Sequence, residues 1–198
     1  MRAFLGVGLP ADVREAIASA IATVRGLHAP VAWTAPRNLH ITLNFLGDIS
    51  PERVALVERS MRVVASGIEP FSLTPEGGGA FPGTRNPRIL WVGFLEPLEL
   101  VRQLQQNMEN ALSGAGFPRE DRPYHPHITV GRTRGALPPA WGERFVRALS
   151  GKRFDAVPVS SFALYESRLG PGGAVYTPVC DFRLDRSGRR EIREEREP

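Results

Sequence analysis

Two of the four histidines in this chain of 198 residues begin the same tripeptide. His40-Ile41-Thr42 lies in the segment NLHITLNFLG, and His127-Ile128-Thr129 lies in the segment RPYHPHITVGR. An imidazole can act as a general acid or a general base near neutral pH, and a hydroxyl can donate a hydrogen bond to a phosphoryl oxygen. These residue types therefore favour acid–base chemistry at a phosphate.

Strand geometry separates the polar residues of each tripeptide from the apolar one. Residues i and i+2 of a β-strand share a face, so His40 and Thr42 point one way while Ile41 points into the core. The same alternation pairs His127 with Thr129. Two such strands facing each other would place one imidazole on each side of a phosphate. One imidazole could then take a proton from the nucleophile while the other protonates the leaving oxygen, and this chemistry requires no metal ion.

The remaining histidines offer alternative hypotheses. His125 shares the polar face of His127 by the same alternation, where it would contact the substrate, tune that imidazole or cap the strand end. A catalytic zinc ion held by His125, His127 and His40 is a second hypothesis, since three histidines can hold such an ion. No spacing signal for a third ligand supports the zinc site, and it leaves the two threonines without a role. His28 falls between a helix and a strand and is assigned no role.

The elements that would position these residues follow from hydrophobic periodicity. Strands are predicted at 2–8, 38–46, 69–75, 87–94 and 125–132, and a hairpin at 161–169 and 174–184 across GPGG. An apolar stripe of Val13, Ile17, Ile21 and Val24 predicts the first helix. Further helices are predicted from Pro51, from about Glu96 to Gly114, and at 141–149. The glycine-rich segment EGGGAFPGTRN at 76–86 is predicted to be a mobile loop.

This order of elements predicts an α+β fold of two pseudo-symmetric lobes. Each lobe would be a mostly antiparallel sheet with outer helices, and the active-site groove would lie between the lobes. The two motifs stand close to half the chain apart, which suggests a degenerate duplication. Residues 1–184 would form one bilobal domain with motifs at 40–43 and 127–130. Residues 185–198 would form a charged tail, in which basic and acidic residues balance.

Composition agrees with a soluble, cytoplasmic protein. Hydrophobic residues make up 42% of the chain and charged residues 23%, values ordinary for a globular domain. No apolar run approaches the roughly 18 residues of a membrane-spanning helix. Cys180 is the only cysteine, which excludes an internal disulfide and a multi-cysteine zinc site. The net charge of +4 suits an anionic partner.

The motif pair resembles that of the 2H phosphoesterase superfamily, in particular its RNA 2′,3′-cyclic phosphodiesterase branch, formerly called 2′-5′ RNA ligase. RAFLGVGLP, RILWVGF, and FALYESRL with AVYTPV are similar to the opening, central and closing strands of that branch, so the likeness covers nearly the whole chain. The resemblance implies a catalytic pair and two phosphate ligands. The catalytic pair would be His40 as proton donor and His127 as proton acceptor, and the phosphate ligands would be Thr42 and Thr129.

The resemblance also implies nucleotide contacts from Phe45 and Arg132. Strict alternation along a strand would turn both side chains away from the groove, so a β-bulge in each strand would be needed. The basic neighbours Arg119, Arg122 and Arg132 are expected to lower the pKa of His127, because nearby cations favour the neutral form that a base requires.

The resemblance further implies the reaction: hydrolysis of RNA 2′,3′-cyclic phosphate ends to 2′-phosphate, without metal or cofactor, with reversible 2′-5′ RNA ligation as a second activity. Two alternatives stay open. One is a cyclic phosphodiesterase acting on a small nucleotide such as ADP-ribose cyclic phosphate. The other is a non-catalytic module that binds RNA ends. The expected partners are RNA ends or nucleotide 2′,3′-cyclic phosphates, with no membrane, and the expected oligomeric state is a monomer.

Overall fold

The computed structural model describes residues 1–25, 29–170 and 173–185, which form ten strands, four α-helices and one short 3₁₀ turn. The first five strands are β1 (Arg2–Gly8), β2 (Val31–Trp33), β3 (His40–Asp48), β4 (Phe71–Leu73) and β5 (Pro75–Phe81). The last five are β6 (Ile89–Phe94), β7 (Ile128–Thr133), β8 (Val157–Val159), β9 (Ser161–Gly170) and β10 (Gly173–Arg183). The helices are α1 (Ala11–Arg25), α2 (Pro51–Ala65), α3 (Glu99–Gly114) and α4 (Trp141–Leu149), and the 3₁₀ turn spans Pro36–Asn38.

Eight strands make one sheet in the order β10-β9-β1-β3-β7-β6-β5, with β2 also paired to β7. Every pairing seen among the described residues is antiparallel. The sheet has two halves of four strands, which we call the first half (β10, β9, β1, β3) and the second half (β7, β6, β5, β2). The predicted α+β fold with mostly antiparallel pairing is confirmed. The halves are not separate sheets, however, because the pair Ile41 and Ile128 joins β3 to β7.

Helices cover both halves and close one continuous core. The predicted stripe of α1 is buried as expected, and α1 packs against α4, while α2 packs against α3. Helix α4 lies over β5 of the second half, and α2 and α3 contact β10 and β3 of the first half. The polar face of the motif strands is therefore the face opposite the core, since Ile41 and Ile128 are fully buried.

Residues 76–81 of the glycine-rich segment belong to β5, so the prediction of a mobile loop at 76–86 is wrong for them, whereas residues 82–86 lie in the connection from β5 to β6. Residues 75–81 pair with β6 from Pro75–Phe94 to Phe81–Ile89. Glycine is required there by close packing: a Cβ on Gly79 would overlap the ring of Trp91, and a Cβ on Gly78 would lie 2.6 Å from Leu149. Glycine weakens a strand prediction, yet here neighbouring side chains supply the packing that the glycines lack.

Other predicted boundaries move by a few residues. Helix α3 begins at Glu99, after Glu96 accepts a hydrogen bond from the Leu98 amide. The short strands β2, β4 and β8 are edge elements, and among the described residues β4 pairs only with β8, in a separate two-stranded sheet. His28 and residues 186–198 of the charged tail lie outside the described residues. No helix among those described is long and apolar enough to cross a membrane.

Candidate active site

The two motifs meet at the junction of the two halves. Ile41 of β3 faces Ile128 of β7 in an antiparallel pair. This register sets His40 across from Thr129, and it sets Thr42 across from His127. Residues directly opposite in such a pair have Cβ atoms roughly 5 Å apart, so four polar side chains gather on one face of the sheet. Each half supplies one imidazole and one hydroxyl.

His40 is held by hydrogen bonds at both ring nitrogens. Its Nδ1 lies 2.7 Å from the carbonyl oxygen of Asn38, and its Nε2 lies 3.0 Å from the hydroxyl of Thr42. A carbonyl only accepts, so Nδ1 carries the proton and Nε2 is the nitrogen that titrates. Asn38 is fixed in turn, because its side-chain amide donates to the Ala174 carbonyl of β10 at 2.6 Å.

His127 is held in the same way. Its Nδ1 lies 2.8 Å from the carbonyl oxygen of His125, again two residues earlier in the chain. The carbonyl therefore sets the same tautomer, with Nε2 as the nitrogen that can gain or lose a proton. His125 and His127 both precede β7, which begins at Ile128, so the predicted strand is shorter by three residues at this end. The main-chain carbonyl of His125 thus orients the ring of His127, and this does not depend on the position of the His125 ring.

Aromatic rings support each imidazole from its own half. The ring of His40 lies 4.7 Å from Phe4 and 5.1 Å from Tyr176, measured between centroids. The ring of His127 lies 5.2 Å from Phe81 and 6.4 Å from Trp91. The ring of His125 is wedged beside the same two side chains, 4.9 Å from Trp91 and 5.6 Å from Phe81. Packing of this kind limits the rotation of both imidazoles.

A bulge occurs in each motif strand at the same offset from its histidine. The pairing of β1 with β3 skips Leu43, and the pairing of β6 with β7 skips Val130. An extra residue reverses the parity of the residues after it, so Phe45 and Arg132 turn to the groove face. The ring of Phe4 accordingly lies 6.3 Å from Phe45 as well as 4.7 Å from His40. The bulges that these two predicted contacts require are therefore present, and Phe45 is 69% exposed.

Burial is the largest cause of a lowered pKa at both imidazoles. For His40, the positive charges of His127 and Arg132 lower the pKa further, and the hydrogen bond to Asn38 opposes them. For His127, the charges of His125 and Arg132 also lower the pKa further, and the hydrogen bond to the His125 carbonyl raises it. Arg132 therefore acts on both imidazoles at once. Arg132 is an exposed residue, so it can also contact a ligand.

The expected effect of Arg119 and Arg122 on His127 is wrong. Arg122 forms an ion pair with Glu120 at 2.9 Å, and Arg119 hydrogen-bonds to the side chains of Ser113 and Asn110. These bonds hold Arg119 and Arg122 against other side chains, and neither arginine contributes to the lowered pKa of His127. Since Arg132 lowers the pKa of both imidazoles, charge from this segment does not distinguish the acid from the base.

Two further links join the segment before His127 to β3. The hydroxyl of Tyr124 donates to the main-chain carbonyl of Thr42 at 3.1 Å. The buried carboxylate of Glu109 accepts from the Asn44 side chain at 2.7 Å and from the Glu120 amide at 2.9 Å. The first link is direct and the second runs through Glu109 of α3. Burial raises the pKa of Tyr124.

Within the described part of the chain, no three His, Cys, Asp or Glu side chains come together as a set of metal ligands. The zinc hypothesis based on His40, His125 and His127 therefore has no geometric support there. The carbonyl-bound Nδ1 atoms leave His40 and His127 with one ring nitrogen each, Nε2, that could bind a metal.

The sequence motifs do not predict the roles of several residues that support the two imidazoles. Asn38 and His125 act through main-chain carbonyls, which no sequence pattern marks. Tyr124 and Trp91 lie within RPYHPH and RILWVGF, but neither motif assigns them a role. The only signal that could have pointed to Trp91 is the glycine run facing it, because a bulky ring on one strand of a sheet needs space on the next.

Two histidine–threonine pairs on one sheet face, one pair from each half, define the class of two-histidine phosphoesterases. The model of the family described as LigT-like phosphoesterase matches residues 7–91 and 95–176. The chain belongs to the LigT-like phosphoesterase family, and the predicted superfamily is confirmed.

Relatives of known name and structure extend over almost the full length. The RNA 2′,3′-cyclic phosphodiesterase of Methanothermobacter thermautotrophicus is 34% identical over 184 residues, spanning 93% of this chain and 99% of that protein. The crystal structure of TT0787 of Thermus thermophilus superimposes with a TM-score of 0.76 at 28% identity, covering 93% and 98% of the two chains. Escherichia coli LigT complexed with 3′-AMP gives a TM-score of 0.66 at 29% identity, covering 92% and 97%.

Proposed function

We propose that this protein hydrolyses RNA 2′,3′-cyclic phosphate ends to 2′-phosphates by acid–base catalysis between His40 and His127. The observation that carries the proposal is the matched placement of the two imidazoles. Each donates Nδ1–H to the carbonyl two residues earlier, which leaves Nε2 for the substrate. Relatives over nearly the whole chain are named RNA 2′,3′-cyclic phosphodiesterases, and this supports the choice of substrate.

In the proposed reaction, water attacks phosphorus while Nε2 of His127 removes its proton. The P–O3′ bond breaks, and Nε2–H of His40 donates its proton to the departing O3′. The phosphate stays on O2′, and the two histidines end with exchanged protonation states, which solvent restores. Such paired proton transfer contributes about 10²- to 10⁴-fold to the rate for each group. The assignment of His40 as the acid follows the family resemblance.

Thr42 and Thr129 bind the non-bridging oxygens in this proposal. When His40 is protonated, its Nε2–H donates to the Thr42 oxygen 3.0 Å away, so the Thr42 hydroxyl proton is directed away from the imidazole. That proton is then available to a phosphoryl oxygen. Arg132 neutralises the charge that grows on the phosphate, and exposed Phe45 contacts the nucleoside. His125 acts through its carbonyl on the tautomer of His127.

The same site could run in reverse and join a 2′,3′-cyclic end to a 5′-hydroxyl, as the 2′-5′ ligation hypothesis requires. The catalytic unit in this proposal is residues 1–184, a single bilobal domain acting as a monomer, with residues 185–198 as a tail. The cytoplasmic setting stays a prediction.

Product analysis in EDTA tests the proposal. An oligoribonucleotide with a 2′,3′-cyclic end is incubated with the protein, and the product is expected to carry a 2′-phosphate. A parallel reaction with ADP-ribose cyclic phosphate tests the small-nucleotide alternative. A 3′-phosphate product would contradict the regiochemistry, and binding without turnover would favour the RNA-end module. Loss of turnover in EDTA that added metal restores would favour the zinc hypothesis.

A further inference from the structure

One edge of the second half is rich in arginine and lies among stretches without acidic residues. The strands β2, β7 and β6 lie side by side, and Ala32, Arg132, Ile89 and Phe81 form one row across them into β5. The stretches 30–47, 77–95 and 122–142, which contain β2, β6 and β7, include no Asp or Glu, although the whole chain has 21. The edge is therefore a local concentration of positive charge.

Three exposed arginines lie on adjoining segments of this edge, which we call the arginine edge: Arg88, Arg132 and Arg134. The carbonyl of Arg88 accepts from the Thr133 amide, so Arg88 lies beside the end of β7. The Arg134 amide donates to the Pro30 carbonyl at 2.7 Å, which continues the pairing of β7 with β2 by one step. Arg134 therefore follows Arg132 on the same side of the strand.

Neighbouring like charges repel unless a partner neutralises them. The ion pairs formed within the described residues are Arg102–Glu96, Arg122–Glu120, Arg153–Glu76 and Arg168–Glu166, and none of them includes the arginine edge. Of the three arginines, Arg132 is the one that acts on the imidazoles. Arg134 lies two residues beyond Arg132, which in a strand is about 6.6 Å further from the imidazoles. One phosphate held between the imidazoles accounts for Arg132 and leaves the other two arginines for additional phosphates.

We propose that Arg88 and Arg134 bind backbone phosphates of a single-stranded RNA that extends from the reacting terminal nucleotide. This inference rests on the proposed function and names its substrate class: an oligonucleotide end rather than a free mononucleotide. Arginine suits such contacts, because its guanidinium makes bidentate hydrogen bonds to phosphate. The RNA would leave the groove past Arg132 and continue over the C-terminal end of β7.

Kinetics on two substrates of different length test the inference. The substrates are a nucleoside 2′,3′-cyclic monophosphate and a single-stranded oligoribonucleotide that ends in the same nucleoside cyclic phosphate. The parent protein is expected to prefer the oligonucleotide through KM. In R88Q/R134Q, kcat/KM is expected to fall about tenfold or more for the oligonucleotide and to stay within about twofold for the mononucleotide. The control R59Q/R144Q removes the same charge from exposed positions of α2 and α4 and should leave both values unchanged.

Salt dependence gives a second readout that does not require turnover. Affinity for a fluorescent oligoribonucleotide with an unreactive 2′-phosphate end is measured by anisotropy at several salt concentrations. Each phosphate contact contributes about −0.7 to the slope of log K against log salt for single strands, so the slope should become shallower by about 1.4 in R88Q/R134Q. An equal loss on both substrates, or an unchanged slope, would overturn the inference. If no cyclic phosphate is hydrolysed but the slope still changes in R88Q/R134Q alone, the proposed function fails while the RNA contacts stand.

Discussion

Main-chain carbonyl groups fix the tautomer of each imidazole. Nδ1 of His40 and Nδ1 of His127 donate to the residue two positions earlier, although the two segments share only the tripeptide. Alternation along a strand was enough to predict that His and Thr share a face. The carbonyl partners and the depth of burial depend on how the chain enters each strand, and side-chain types do not reveal that.

The lowered pKa of both imidazoles predicts how stability depends on pH. Burial holds each pKa below the usual value of 6.5 in the folded protein, so the unfolded chain binds more protons between the folded pKa and 6.5. The stabilising contribution is therefore present above about pH 6.5 and is lost as the pH falls towards the folded pKa. Urea unfolding at pH 5 to 8 should show a steeper loss on acidification for the parent than for H40Q/H127Q. Identical pH profiles for the two proteins would show that the imidazoles are not desolvated.

At the scale of the elements, the two motif strands share a single residue pair, so other contacts must hold the groove at its width. Tyr124→Phe removes the hydroxyl that bonds to the Thr42 carbonyl across the junction. We expect kcat to fall about tenfold with KM little changed, because small displacements of catalytic groups are costly. The measurement is steady-state kinetics together with the melting temperature of each variant.

A matched control separates positioning from stability in that experiment. Thr133→Val removes a side-chain hydrogen bond to the Pro87 carbonyl at 2.8 Å, which lies wholly within the second half. Both variants lose one bond of similar kind, worth about 1 kcal/mol. Equal losses of kcat in Tyr124→Phe and Thr133→Val would mean that Tyr124 only stabilises the fold.

The glycine strand β5 makes a second prediction at this scale. In Gly79→Ala the new Cβ would overlap the Trp91 ring, which packs beside His125 and His127. We expect a lower kcat/KM and a changed tryptophan emission, because the displaced ring no longer supports the imidazole. Gly83→Ala is the control, since its Cβ would meet open space in the neighbouring connection. Full activity in Gly79→Ala would show that the Trp91 ring has no part in the site.

The helices and the strand β5 show what sequence periodicity can and cannot predict. The stripe of α1 is buried as expected, because an apolar period of about 3.6 residues indicates which face of a helix meets the core. The sequence of β5 shows no alternation of apolar and polar residues, because its glycines have no side chains. Its pairing is decided by Trp91 and Leu149, which lie outside the segment in sequence.

At the scale of the whole molecule, repetition in the sequence predicted two related halves with one histidine from each. It did not predict that one residue pair joins both into a single sheet, because the register between distant strands leaves no local pattern. The helices also cross between the halves: α1 follows β1 of the first half in the chain but packs on α4, which covers β5.

This interlocking predicts that the two halves unfold together. All three tryptophans, Trp33, Trp91 and Trp141, belong to β2, β6 and α4, so their fluorescence reports on the second half. Far-ultraviolet circular dichroism reports on the whole chain. We expect the two thermal transitions to coincide, as for a single cooperative unit. A fluorescence transition clearly separate from the dichroism transition would show two independent domains.

The division of labour between the imidazoles is tested most directly by replacing the leaving O3′ with sulfur. A thiolate is a better leaving group than an alkoxide and needs little protonation, since the pKa of a thiol is near 8.5. His40→Ala should therefore cost far less with the sulfur substrate than with the natural one, whereas His127→Ala should cost about the same with both. The account is contradicted if His127→Ala is the rescued variant, or if sulfur rescues both variants or neither.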